Sequence, residues 1–374
     1  MRAPAARRTA AVGAALAAGA SIGCGVSGAR SREPAADSLP SVAAARATDH
    51  AAEVDSARRL LRELAHGGAG LAVGVSVGGR VVWLEGLGYA DLEARRPVDP
   101  RTTRFQVYSV SKGLTTLAAA SLVEDGRLDL GAPVRSYLPG FPDKGAPITP
   151  AELLAHTSGI RHYSNAVEAS SRRHCDVVAD AVPIFEDDPL VHPPGAARTY
   201  SSWGYVLLSR VLEAAADEPF RELVRRRILE PSGAALTVID DPDARIPGRA
   251  TFYSVPTGGG PEPTPEVDNT CKWGAGAYLS TARDLVAVYR ALLGGDLLAP
   301  HTLRSMVLRG AEPDSLGRQI LEISGWGEGA AAFTAADLDT GVVVVLLSNA
   351  IGPDYGPRVQ RAFGRLRTIF DPGP

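Results

Sequence analysis

The 374-residue sequence predicts an α+β fold: an antiparallel sheet flanked by helices, with a mostly helical insertion between its N- and C-terminal strands. Three observations predict it. Glycine-turned hairpin patterns occur near both ends of the chain, at 71–84 and 331–347. Helix start signals fill the stretch between them. Near the end, Val359, Phe363, Leu366 and Phe370 stripe one side of a helix that can cover a face of the sheet. Hydrophobic residues at 45% and charged residues at 22% suit a globular chain with a full core. With 39 Lys+Arg against 42 Asp+Glu the net charge is −3, which gives a nucleic acid no electrostatic foothold.

Residues 1–24 read as a signal peptide. Arg2, Arg7 and Arg8 form a basic start, and no charge then appears from 9 to 29. Only Val12, Leu16, Ile22 and Val26 in that run are strongly apolar, which favours secretion over a permanent membrane span. Ser21-Ile22-Gly23-Cys24 resembles a bacterial lipoprotein box, in which a lipidated Cys24 would attach the protein to a membrane; plain cleavage nearby is the alternative. Residues 25–51 lack periodicity and predict a linker, so the folded domain is expected over 52–374. Its sheet should come from about 52–108 and 272–374, and its helical part from about 109–271.

Leu60, Leu61 and Leu64 predict a helix ended by Gly67-Gly68, followed by a hairpin over Leu71–Val77 and 81–84 turned by Gly78-Gly79. An extended stretch at 105–108 leads into a helix to about Glu124, with Leu114, Leu117, Leu122 and Val123 inward and Gly126 as its stop. Thr149-Pro150-Ala151-Glu152 combines a hydroxyl cap, a proline at the first helical position and the glutamate of a capping box. Residues 201–216 form a helix with Tyr205, Leu208 and Leu212 on one face, and 257–269 a Gly/Pro loop. Thr281 caps a further helix stopped at Gly294-Gly295. The second hairpin pairs 331–338 with 342–347, whose unbroken apolar run predicts a strand covered on both faces.

The chemistry concentrates at Ser109-Val110-Ser111-Lys112. A serine and a lysine three apart at a helix start share a face within hydrogen-bonding reach. The helix N-terminus favours developing negative charge, and a neutral lysine can take the hydroxyl proton from an otherwise weak nucleophile. Only three of the 39 basic residues are lysines: Lys112, Lys144 and Lys272. Arginine does not give up its proton, so a lysine at this position suits a base better than a surface charge.

The stretch Val107-Tyr108-Ser109-Val110-Ser111-Lys112-Gly113-Leu114-Thr115 resembles the nucleophile motif of the serine β-lactamase-like and penicillin-binding superfamily, in its class C branch. Leu153-Leu154-Ala155-His156-Thr157-Ser158-Gly159-Ile160-Arg161-His162-Tyr163 and Tyr200-Ser201-Ser202-Trp203-Gly204-Tyr205 resemble later family segments in order and spacing. Asn269-Thr270-Cys271-Lys272-Trp273-Gly274-Ala275-Gly276, with Leu279-Ser280-Thr281, resembles a stretch of its mitochondrial-type members and their bacterial relatives. The resemblance implies a secreted serine hydrolase, of carboxypeptidase or esterase type, that cleaves a peptide, ester or amide through an acyl-enzyme. Ser109 would attack, Lys112 would accept its proton, and Tyr200 would assist acylation and activate the deacylating water. Ser202 stands where the family has asparagine. The third family motif aligns with Ile323-Ser324-Gly325-Trp326, where the Trp326 N–H would join that of Ser109 as oxyanion hole.

Ile323 replaces the basic residue of that motif, and the preceding stretch (313–322) is shorter than the family pattern. Both departures weigh against β-lactam hydrolysis and leave a second reading open, a non-catalytic envelope protein that keeps the fold and binds peptides. Acyl transfer through serine needs no cofactor, and the partner expected is a small-molecule or peptide substrate. No His, Cys or Asp spacing matches a zinc site, and His156 reads as a loop-structuring residue. Cys175 and Cys271 are either a disulfide pair or two buried thiols.

Overall fold

The computed structural model describes residues 39–65, 69–307 and 317–371. The expected signal peptide with Cys24 and the Gly67-Gly68 helix stop lie outside the described residues. The central sheet has six strands: β1 (Ser41–Arg46), β2 (Leu71–Val77), β3 (Arg80–Leu87), β4 (Ile320–Gly327), β5 (Ala330–Asp337) and β6 (Val343–Ser348). Their spatial order is β1-β3-β2-β6-β5-β4, and every neighbouring pair is antiparallel. N- and C-terminal hairpins therefore meet at the β2–β6 seam, as the sequence predicts.

The β2–β3 turn uses Gly78 and Gly79 at φ 54° and 76°, the left-handed pair that matches strand twist. All six residues of β6 are buried. Val344 and Leu346 face a core shared with helices α1 (Ala51–Leu64) and α5 (Tyr355–Ile369), which contribute Val54, Leu61, Val359 and Phe363. Val343, Val345 and Leu347 face the opposite core, with Leu285 and Val286 from the helix starting at Ala282. The period-2 alternation of a strand thus feeds two hydrophobic layers at once.

One boundary needs correction. The sequence places 25–51 in a linker, yet Ser41–Arg46 forms the edge strand β1 on β3, with Ser41 opposite Leu87 and Arg46 opposite Trp83. Its composition carries no clear alternation because main-chain hydrogen bonds, available to any non-proline residue, hold an edge strand. The end of the 313–322 stretch, from Ile320, belongs to the eight-residue strand β4, paired along its whole length with β5.

The helical part is built around α2 (Ser111–Glu124), packed by α3 (Ser202–Ala216), with α4 (Ala282–Gly294) between it and the sheet. The capping signals hold. Thr149 and Glu152 form the reciprocal box, Ser201 Oγ accepts from the Gly204 N–H at 2.8 Å, and Thr281 caps α4, which Gly295 ends at φ 83°. Cys175 and Cys271, 96 residues apart, are joined as a disulfide with Cα atoms 4.9 Å apart.

Candidate active site

Ser109 sits in a 3-10 turn (Tyr108–Val110) that runs directly into α2. Tyr108 is forced to φ 43°, a left-handed conformation that costs a non-glycine residue energy and throws the serine out of the strand direction. His156, on another wall of the cleft, likewise has a positive φ of 58°. Two of the five positive-φ non-glycine residues described therefore line the cleft, and functional sites tend to concentrate strain.

The sequence's three candidate reactive groups converge there. Ser109 Oγ lies 2.7 Å from the Tyr200 hydroxyl and accepts from Lys112 Nζ at 3.2 Å. Lys112 Nζ also donates to Ser202 Oγ at 3.2 Å and to the Ala275 carbonyl at 2.7 Å. The lysine is buried, 5% exposed, and burial holds its pKa below the ordinary lysine value, with Tyr200 opposing. Burial pushes the Tyr200 phenol up, but the Lys112 ammonium and its hydrogen bonds outweigh that and bring it below 10. Each shift favours the proton acceptor form of its group beside Ser109.

Two imidazoles hold the Tyr200-Ser201-Ser202 corner in place. The N–H of Ser201 donates to His156 Nδ1 at 3.1 Å, and that of Ser202 to His162 Nδ1 at 3.2 Å. Both rings are kept neutral, since burial and then the Lys112 charge lower His156 to about 3 and His162 to about 4. His156 is the loop-structuring residue the sequence suggests. His162 is one it missed, although it stands in the same quoted stretch. Glu168 was also missed: it accepts from Arg161 at 2.9 Å and from Trp203 Nε1 at 3.0 Å, tying that loop to α3. The Ala275 carbonyl, a main-chain acceptor, leaves no signal in a sequence.

Ser324, Gly325 and Trp326 lie on β4, the outer strand of the sheet, beside the Ser109 turn. Gly327 pairs with Ala330 across a two-residue turn, so ladder alternation directs the Ser324 and Trp326 amides off the open edge. Gly325 is there because nothing larger fits. A Cβ would lie 2.1 Å from the Val107 carbonyl oxygen and 2.8 Å from the Ser109 nitrogen. Ile323, two residues earlier on the same face of β4, reaches α2, its Cδ1 2.9 Å from where a Cβ on Gly113 would stand.

Two cavities open from Ser109. One of about 600 Å³ reaches past Trp326, Ser170 and Glu328 to Lys272. The other, of about 360 Å³, runs along α2. Lys272 is 7% exposed, donates to Asn269 Oδ1 at 2.6 Å, and is lowered to about 8, chiefly by burial. Away from the cleft, His174, Asp241 and Asp243 bring potential metal-ligand atoms within 4.8 Å of one another, and His174 Nδ1 lies 2.8 Å from Asp268.

Known proteins are similar to this chain in sequence and in fold. The serine beta-lactamase-like protein LACTB, mitochondrial, of Mus musculus is 30% identical over 338 residues, covering 70% of this chain and 61% of that protein. The putative penicillin-binding protein PbpX of Bacillus subtilis (strain 168) is 28% identical over 252 residues, covering 67% and 61%. The chain therefore spans about 61% of the length of these relatives. Among solved structures, the D-amino acid amidase from Ochrobactrum anthropi SV3 complexed with D-phenylalanine shares the fold. Its TM-score is 0.73 at 21% identity, covering 85% of this chain and 98% of that one. The Beta-lactamase family model matches residues 57–365, a span that includes every segment lining the cleft. This chain belongs to the beta-lactamase family, within the superfamily of β-lactamase-like serine hydrolases.

Proposed function

We propose that the protein is a secreted serine hydrolase that works through an acyl-enzyme on an ester, amide or peptide. The observation that carries this is the Ser109–Lys112–Tyr200 cluster, with Ser109 Oγ within 2.7 Å and 3.2 Å of two groups able to take its proton. Ser109 Oγ bonds to the substrate carbonyl carbon as its proton passes to neutral Lys112 or to the Tyr200 phenolate. The N–H groups of Ser109 and Trp326 hold the oxyanion. Collapse breaks the bond to the leaving group, which takes the proton from Tyr200. Water, deprotonated by the same pair, then attacks the ester carbonyl carbon; the bond to Ser109 Oγ breaks, the acid leaves, and Ser109 takes the proton back from the pair. Ser202 keeps Lys112 aimed at Ser109 through its 3.2 Å hydrogen bond.

Export is supported by the Cys175–Cys271 disulfide, a bond that persists in oxidising compartments. A lipid on Cys24 would hold the exported protein at a membrane. The second reading, a non-catalytic peptide binder, draws on Ile323 in place of a base. A binder, however, has no need to bury a lysine against a serine.

Intact-mass measurement after exposure to a fluorophosphonate tests the hydrolase. A single adduct is expected, absent from Ser109→Ala. No adduct on the folded parent would leave the binder.

A further inference from the structure

Lys272 is a buried cation without a counter-ion of its own. An ammonium carries three donors. Among the described residues this one donates to Asn269 Oδ1 and forms no ion pair. The carboxylates whose charge acts on it are Glu328, Asp240 and Asp268, and each is engaged elsewhere. Glu328 accepts from Ser170 Oγ at 2.9 Å, and Asp240 pairs with Arg249 at 2.7 Å. Asp268 accepts from the Thr270 N–H at 2.8 Å and lies 2.8 Å from His174 Nδ1. A buried charge is costly unless a partner meets it. One amide oxygen and the face of the Tyr108 ring, whose centre lies 5.5 Å from Nζ, offset only part of that cost.

This lysine stands in the wall of the larger cavity. Its stem runs past Gly276, where a Cβ would lie 3.7 Å from Lys272 Cδ and 3.8 Å from the Tyr108 carbonyl carbon. Lys272, Gly276 and Tyr108 line the same cavity as Ser109, Tyr200 and Ser324. An acceptor group held against Lys272 therefore shares one cavity with a carbonyl at Ser109. The other cations of the cleft serve this purpose less well. Lys112 already donates to Ser109, Ser202 and Ala275. Arg198 lines the smaller cavity from an exposed position, where water solvates its charge.

We propose that Lys272 binds a carboxylate of the substrate, and that the substrates are esters or amides that carry an acid group into the larger cavity. The proposal rests on the hydrolase reading above and names its substrate class. A hydrogen bond to a charged group contributes about 10- to 150-fold. Glu328 lines the same cavity, and its like charge opposes an incoming acid.

The test uses the full chain and two pairs of esters, each matching a carboxylate with its neutral carboxamide. Monoethyl glutarate and ethyl glutaramate carry the group on the acyl side; acetoxybutanoate and acetoxybutanamide carry it on the leaving alcohol. In at least one pair the acid should have the higher kcat/KM, by about 10-fold or more at neutral pH. Lys272→Gln, which keeps a donor for Asn269, should bring that ratio close to unity. Glu328→Gln should raise the ratio, and Arg198→Gln should leave it unchanged. No preference for the acid in either pair would overturn the proposal, and so would a ratio lost in Arg198→Gln but kept in Lys272→Gln. Should Lys272→Gln not fold by circular dichroism, the parent ratios and the Arg198→Gln comparison decide. Binding of the same pairs to Ser109→Ala, followed by NMR titration, repeats the comparison without turnover. Fluorophosphonate labelling then separates the two failures. A labelled Ser109 without a carboxylate preference overturns this inference only. An unlabelled Ser109 removes the hydrolase reading, and the carboxylate site then stands or falls with the binding difference on Ser109→Ala.

Discussion

At the residue scale, lysine is the informative choice. Two of the chain's three lysines, Lys112 and Lys272, are buried in the cleft, whereas Lys144 donates to main-chain carbonyls of Glu186 and Asp188. The scarcity of lysine points to Lys112 from sequence, and the same reasoning would have reached Lys272. The neutral histidines give this scale its pH dependence. The folded pKa values of His156 and His162, about 3 and about 4, lie below the usual 6.5. Between those values the unfolded chain binds more protons than the folded one, so stability rises with pH there. The contribution is fully present above pH 6.5 and is lost as the pH falls through about 4 and then about 3. The melting temperature should therefore drop on acidification from pH 6.5 to 4. His162→Gln, which keeps an acceptor but cannot charge, should flatten part of that slope. An unchanged slope would mean that His162 does not hold the Ser202 corner as a neutral acceptor.

At the element scale, the site depends on how closely the edge strand β4 approaches the turn before α2. Gly325 permits that approach. Gly325→Ala should push the strand and the nucleophile turn apart, misaligning the two oxyanion amides. Loss of one such donor costs about 100- to 1000-fold in kcat. The expected result is a loss of that order in ester hydrolysis, with the protein still folded by circular dichroism. Near-normal turnover would show that the Trp326 amide has no part in the reaction. The edge strand also explains why the third motif was hard to read in one dimension. Its roles fall mainly to main-chain groups, which any side chain can accompany, so the replacement at Ile323 alters the neighbouring cavity while the amides keep their direction.

At the scale of the whole molecule, the disulfide and the sheet seam bring distant parts of the chain together. Cys175–Cys271 ties the loop after His162 to the segment that supplies Ala275 and Lys272. Thr270 Oγ1 accepts from the Cys175 N–H at 2.9 Å beside it. Closing so long a loop restricts the unfolded chain, and loss of such a bond typically costs about 2–5 kcal/mol. Reduction, or Cys175→Ser with Cys271→Ser, should lower the melting temperature by several degrees in thermal scans. An unchanged midpoint under full reduction would show that the bond contributes nothing to stability.

Much of this architecture was legible before any coordinates. Hairpin turns, caps and the apolar run of β6 are local signals, each decided by a few neighbouring residues and the period of the backbone. The same is true of Ser109 and Lys112, which one helix turn brings together. Tyr200, Ser202 and the β4 amides needed the resemblance to a family to be suspected, because their spacing in sequence carries no geometry. Tertiary structure alone decided that Ser41–Arg46 pairs as a strand, that Cys175 meets Cys271, and that His162 accepts from Ser202. It also decided that Ile323 lines a cavity beside Ser109. These are contacts between segments far apart in the chain, made through main-chain groups or packing, and neither leaves a local pattern to read.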